Sequence, residues 1–173
     1  MTPADREIAA LADPDLGQYF LVSSEKLAKL VSAAGIRPTD DVVELGAGVG
    51  TVARTLPESK SLTLVEFDSR LLGLLRQNAP HARVIHGDAL EIIRTISFDV
   101  LLGNLPHRVT ESLLAMMPGL SFRAAVLSVA ESADLGQLGA GLAWSEVARA
   151  TGDDFLPPQP GVSRIVRVVP ARV

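Results

Sequence analysis

Glu44-Leu45-Gly46-Ala47-Gly48-Val49-Gly50 is the stretch on which the fold turns. The β-branched run Val42-Val43 leads into it, and Thr51-Val52-Ala53-Arg54-Thr55-Leu56 leaves it at helical spacing. A strand that breaks into glycines and gives way to a helix is the way a parallel α/β sheet presents its ligand crevice. Glycine there lets backbone approach a ligand closely. The spacing is G-x-G-x-G, not the G-x-G-x-x-G of dinucleotide binders, and an acidic residue, Glu44, precedes the loop. That favours a nucleoside carrying an amino acid over a pyrophosphate. Taken alone, the loop is also compatible with a tight strand-to-helix turn with no ligand, the less favoured of the two readings.

Outward from this loop the chain keeps one rhythm. Upstream, Ser23 or Ser24 is a plausible N-cap for a helix with Leu27, Leu30 and Val31 on one face, ending at Gly35. Downstream, Leu62–Phe67 reads as a second strand, Ser69–Ala79 as a helix and Arg83–Gly87 as a third strand. A weaker helix over Ala89–Ile96 precedes Phe98–Asn104, an apolar run suited to a strand buried on both faces. Helix 109–117, strand 124–130, a Pro-rich loop at 155–161 and an alternating strand at 163–170 complete the reading. The Gly-rich stretch 136–142 has no assignable structure. The βαβαβ order predicts a mostly parallel sheet with right-handed crossovers and helices on both faces.

Three acidic positions fall at the ends of successive strands. Glu66 ends the second strand, where doubly wound folds place a carboxylate to accept hydrogen bonds from ribose hydroxyls. Asp88 follows the third, where its side chain suits either an exocyclic adenine amine or the N-terminus of the next helix. A lone Glu66, or Asp68 beside it, is otherwise simply solvated. The coincidence of the glycine loop, Glu66 and Asp88 favours an adenosine-containing cofactor.

Bulk properties narrow the function. With 173 residues and 47% hydrophobic content the chain can bury one substantial core. A net charge of -4 gives no global pull toward nucleic acid, so such a role needs a local basic patch. There is no cysteine, and His81, His86 and His107 are scattered, so no metal site is expected. The acidic N-terminus lacks a signal-peptide pattern and no run of about 18 apolar residues occurs, so a cytoplasmic protein without membrane contact is expected.

The fourth strand empties into Gly103-Asn104-Leu105-Pro106-His107. This resembles the N-L-P-[YF] motif of the ribosomal RNA adenine N6-dimethyltransferases. Gly17-Gln18-Tyr19-Phe20-Leu21 is similar to that family's G-Q-x-F-L, Val43–Leu56 to its cofactor loop, and Gly87-Asp88-Ala89-Leu90 to its adenine-contacting turn. Phe155–Ser163 is similar to its F-x-P-x-P-x-V-x-S segment. The resemblance implies a Rossmann-like class I methyltransferase fold, an α/β architecture that uses S-adenosyl-L-methionine. The polar opening, with its short Ile8–Leu11 apolar patch, reads as a flexible, frayed or weakly helical lead-in over 1–16, ahead of one methyltransferase domain over 17–173.

By the same resemblance the cofactor contacts are Gln18, Tyr19, Glu44, Gly46, Gly48, Gly50, Glu66, Asp88, Ala89 and Asn104. Gln18 and Tyr19 would lie over its methionine part. Asn104, Leu105, Pro106 and His107 form the catalytic motif, in which the Asn104 side-chain oxygen and the Leu105 carbonyl accept from the substrate amine and direct its lone pair. Phe155 would stack on a flipped-out base, against the alternative of a buried core residue.

The chain departs from the family at His107, where an aromatic normally sandwiches adenine. It also has a shorter, acidic Glu131–Gly141, and nothing up to Val173 matches the family's helical C-terminal RNA-docking domain. Three functions stay open. One is methylation of adenine N6 in RNA, docked by Arg108, Arg123, Arg164 and Arg167 or by another subunit, possible in a homo-oligomer. The second is methylation of a small-molecule amine or aromatic ring. The third is a non-catalytic cofactor-binding partner.

Overall fold

The structure is a computed structural model that describes residues 3–171. Helix α1 (Pro3–Leu11) and strand β1 (Phe20–Leu21) precede helix α2 (Ser24–Ala34). There follow β2 (Asp41–Leu45), β3 (Ser61–Glu66), α3 (Leu72–Asn78), β4 (Arg83–His86), α4 (Ala89–Ile92), β5 (Val100–Gly103) and α5 (His107–Met116). Strands β6 (Ala124–Ala130), β7 (Leu142–Ala150), β8 (Phe155–Leu156) and β9 (Ser163–Pro170) complete it. The main sheet has the order β4-β3-β2-β5-β6-β9-β7. Strands β4 through β6 in that order are parallel, and β9 and β7 run antiparallel. No helix among the described residues is long and apolar enough to cross a membrane.

Strand alternation divides the core. Val43, Leu45, Leu101 and Leu127 face α5, whose Leu113 and Leu114 are fully buried. Val42, Val100, Leu102 and Val126 face the other way, onto Leu27, Leu30 and Ala34 of α2. Helix α2 begins as the sequence predicts, with Ser23 Oγ accepting from the Lys26 N–H and Gly35 ending it in the left-handed conformation. After β2 the chain goes to β3 on one side and later returns to β5 on the other. The C-terminal ends of β2 and β5, paired at Leu45 and Gly103, therefore bound the crevice at the point where strand order reverses.

The lead-in, read as frayed or weakly helical, carries α1, whose Ile8, 7% exposed, packs with Phe20, Val49 and Leu71. The structure differs from the sequence reading in three places. The helix expected after the glycine loop shrinks to one 3-10 turn, Ala53–Thr55, because Pro57 forces Leu56 into an extended conformation. Strand β7 had no signal: its outer residues are exposed and of modest β propensity, and pairing along β9 creates it. Residues Phe155 and Leu156, expected in a loop, pair with Leu21 and Phe20 as a small second sheet.

Candidate active site

The crevice holds a cavity of about 300 Å³. Its floor is the loop after β2, its walls are the ends of β3, β4 and β5, and residues Leu16–Phe20 pass over it. Gly46 has φ 68° and Gly48 φ 57°. A Cβ on Gly46 would lie 2.5 Å from Leu105 Cδ2, and one on Gly48 2.8 Å from Phe20 Cε1. Both glycines are therefore demanded by conformation and by close approach. The loop is pinned by Gly46 and Ala47 N–H groups donating to the Val65 carbonyl, and by Asn78 Nδ2 donating to the Val49 carbonyl at 2.7 Å. Gly50, at φ 83°, closes the turn by donating to the Ala47 carbonyl.

Two carboxyl groups sit at its depth. Glu44 is 2% exposed, and burial together with the neighbouring Glu66 pushes its carboxyl well above the usual range. Its Oε2 is buried without a hydrogen-bond partner. Such a group is costly unless a donor arrives. Glu66 accepts from the Gly48 N–H at 2.7 Å and from the Asp68 N–H at 2.8 Å, so it braces the loop as well as lining the cavity. Burial raises its pKa against those backbone bonds, which lower it. Asp88 also serves twice. Its Oδ1 caps α4 by accepting from Leu90 and Glu91, and the residue still lines the cavity beside Ala89.

Asp68 is not the solvated residue its sequence position suggests. Arg70 clamps it through Nε and Nη2, and Gln18 Nε2 donates to its Oδ2 at 2.9 Å, which holds its carboxyl far below the usual range. Gln18 Oε1 accepts from the Asp13 N–H at 2.9 Å. Gln18 thus fastens the segment over the cavity and lines it too.

Asn104 is where the cavity meets a second one of about 490 Å³. Its Nδ2 donates to the Tyr19 carbonyl at 3.1 Å. That bond orients the amide and leaves Oδ1 as the acceptor. Leu105 and Pro106 line both cavities, and the Leu105 carbonyl accepts from Thr110 Oγ1 at 3.3 Å. His107 lines the second cavity, and its Nε2 lies 3.1 Å from Ser163 Oγ. Burial lowers its pKa, against Glu111, which raises it.

Two expectations fail. Phe155 is 1% exposed and packs with Leu21, Leu102 and Val126, because β8 turns it into the core; no face is left for a base. The arginine patch does not form. Arg123 pairs with Asp40 and the Gly35 carbonyl, Arg167 donates to the Ala33 carbonyl, and Arg164 to the Ala133 carbonyl. Only Arg108 of the four lines the cavities, and it is exposed. Sequence reasoning missed Phe67, which is 69% exposed on the cavity wall; its signal was an aromatic directly after Glu66. It also missed Thr51, Gln159 and Ser163, whose nearness arises only on folding.

Comparison with known proteins agrees with this geometry. Residues 10–123 match the family model described as ribosomal RNA adenine dimethylase. A curated relative, ribosomal RNA small subunit methyltransferase A of Dehalococcoides mccartyi, is 31% identical over 89% of this chain and 61% of its own length. Its namesake in Chlorobium chlorochromatii is 36% identical over 60% of this chain and 41% of its own. The chain thus spans about three-fifths or less of these relatives. A dimethyladenosine transferase from Plasmodium falciparum superposes with a TM-score of 0.76 at 24% identity, over 88% of this chain and 63% of that one. The 23S rRNA methyltransferase ErmE gives 0.77 at 22% identity, over 88% and 70%. These superpositions establish the Rossmann-like methyltransferase fold.

Proposed function

The chain belongs to the ribosomal RNA adenine dimethylase family, and from that premise we propose that it methylates adenine N6 in RNA with S-adenosyl-L-methionine. The residues fit this cofactor. The orphaned Oε2 of Glu44 calls for a donor such as an amino group, and Gly46 and Gly48 leave backbone-lined space that a Cβ would fill. Glu66 retains lone pairs for hydroxyl donors, and Asp88 has an oxygen beyond its cap. When bound, the cofactor supplies an activated sulfonium methyl.

The observation that carries the reading is the Asn104 amide, oriented by Tyr19 at the junction of the two cavities. Asn104 Oδ1 accepts from an amine N–H in the second cavity and so aims the nitrogen lone pair along one direction. It also stabilises positive charge as it develops on that nitrogen. Leu105 and Pro106 hold the turn, and Thr110 ties it to α5. Little acid-base chemistry is asked of the chain. RNA is favoured over a small amine because the matching family model and the curated relatives are named for ribosomal RNA. Arg108, at the rim of both cavities, is the cation best placed for an RNA phosphate. An RNA acceptor fits a cytoplasmic location.

The test is Asn104→Ala, assayed with a labelled methyl donor and an adenine-containing RNA. Transfer should fall by at least about a hundredfold, as for loss of an oriented charge-stabilising group. Cofactor affinity, read by calorimetry, should stay within severalfold. An equal loss of cofactor binding would show that Asn104 does not act on the amine.

A further inference from the structure

His107 belongs to a chain of three side chains from separate parts of the fold. Ser163 opens β9, between β6 and β7, and is fully buried. Gln159 lies on the Pro-rich turn before it and lines the second cavity. Gln159 Nε2 donates to Ser163 Oγ at 2.7 Å, and Ser163 Oγ lies 3.1 Å from His107 Nε2. A hydroxyl carries one proton and two acceptor lone pairs. With Gln159 filling an acceptor site, the proton of Ser163 needs a partner, and His107 Nε2 is the one within reach. With the Gln159 amide in this orientation, the pattern favours Ser163 donating to Nε2 and Nδ1 carrying the ring hydrogen. Among the described residues Nδ1 has no hydrogen-bond partner, and it is not among their fully buried unpartnered atoms.

We propose that His107, held through Nε2 by Ser163 and Gln159, grips the acceptor base with an in-plane hydrogen bond from Nδ1–H, selecting a ring that carries an acceptor nitrogen beside its exocyclic amine. Adenine has two: N1, bonded to its amine-bearing carbon, and N7, on the other side of the amine across the ring fusion. Asn104 Oδ1 then takes the amine and His107 takes the ring, so two directional contacts set the base in its plane. Ser163 and Gln159 are positioning residues that never touch it. The charged groups around the ring are Glu111 on the same helix and Arg108 and Asp15 on the cavity wall. Burial keeps the imidazole neutral against the pull of Glu111, which preserves the tautomer at neutral pH.

The inference rests on the RNA-adenine reading for the identity of its acceptor, and its test has two arms so that the two can fail separately. The first needs no acceptor. In protein labelled with ¹⁵N-histidine, the ring nitrogen shifts of His107 should report the Nδ1–H tautomer at pH 7 and titration below the ordinary 6.5. Ser163→Ala should lose the single tautomer. An Nε2–H tautomer in the unaltered protein, or one indifferent to Ser163→Ala, overturns the relay. The second arm measures transfer to a short RNA. His107→Phe keeps a flat ring but removes the donor, and should raise KM about 3- to 10-fold with a much smaller change in kcat, as for loss of one neutral hydrogen bond. RNA carrying 1-deaza- or 7-deazaadenine should show a similar penalty for one of the two in the unaltered enzyme and none in His107→Phe. A His107→Phe enzyme with unchanged or lower KM overturns the grip, since the ring would then serve only as a face. Absence of transfer to any adenine-containing RNA by the unaltered enzyme would instead overturn the acceptor reading, with the tautomer arm still deciding the relay.

Discussion

Glu44 costs the ligand-free protein stability, and the sign follows from its environment. Folding raises its pKa from the ordinary 4.5 by burial and by Glu66. Above pH 4.5 the unfolded chain ionises there while the folded chain holds the proton, so this group's contribution to stability falls as pH rises toward the folded value. Glu44→Gln should therefore raise the Tm of the cofactor-free protein at pH 8, by about 2–4 °C if ~1 kcal/mol is recovered, and leave it unchanged at pH 4. A pH-independent shift in thermal unfolding would contradict this account. The glycine loop and the acidic positions around it were legible in sequence because their spacing is local. What Glu66 holds was not, because it divides its oxygens between backbone and cavity, whereas the helix cap made by Asp88 was one of the two roles its position offered.

At the scale of elements, the segment from Asp13 to Tyr19 closes the site from above. Gln18 joins Asp13 to Asp68, and Arg70 clamps Asp68 from the other side. Asp68→Ala should cost about 1–3 kcal/mol, the range for losing charged hydrogen bonds at a largely buried acceptor. It should also speed amide exchange across residues 13–19, read by hydrogen-exchange mass spectrometry; unchanged exchange there would mean the clamp does not hold the segment. The folded pKa of Asp68 is depressed, so its contribution is full above the ordinary 3.8 and is lost as pH falls through the lower folded value. Elements with strong periodicity, α2, β6 and β9, were readable to within a residue. Helix α1 was readable only as weakly helical, because what orders it is Ile8 packing against residues far along the chain.

For the whole molecule, charge limits how the proposed RNA acceptor could dock. The net charge is -4, and three of the four arginines expected to form a patch are spent on carbonyls and on Asp40. RNA binding by these residues should be weak and shallow in salt, and Arg108→Ala should lower the salt slope by about one while cofactor affinity holds. An unchanged slope in binding titrations would remove Arg108 from the interface. The βαβαβ succession, the glycine loop and the Asn104-Leu105-Pro106 turn were determined by sequence alone, since periodicity, turn chemistry and short motifs act over a few residues. Tertiary structure decided which side chains were free to act. It buried Phe155 in the core, tied up the arginines, and joined His107 to Ser163, because these outcomes depend on contacts between residues distant in the chain, 31 positions apart for Arg164 and Ala133 and 56 for His107 and Ser163, that loop-closure entropy leaves open until the sheet has formed.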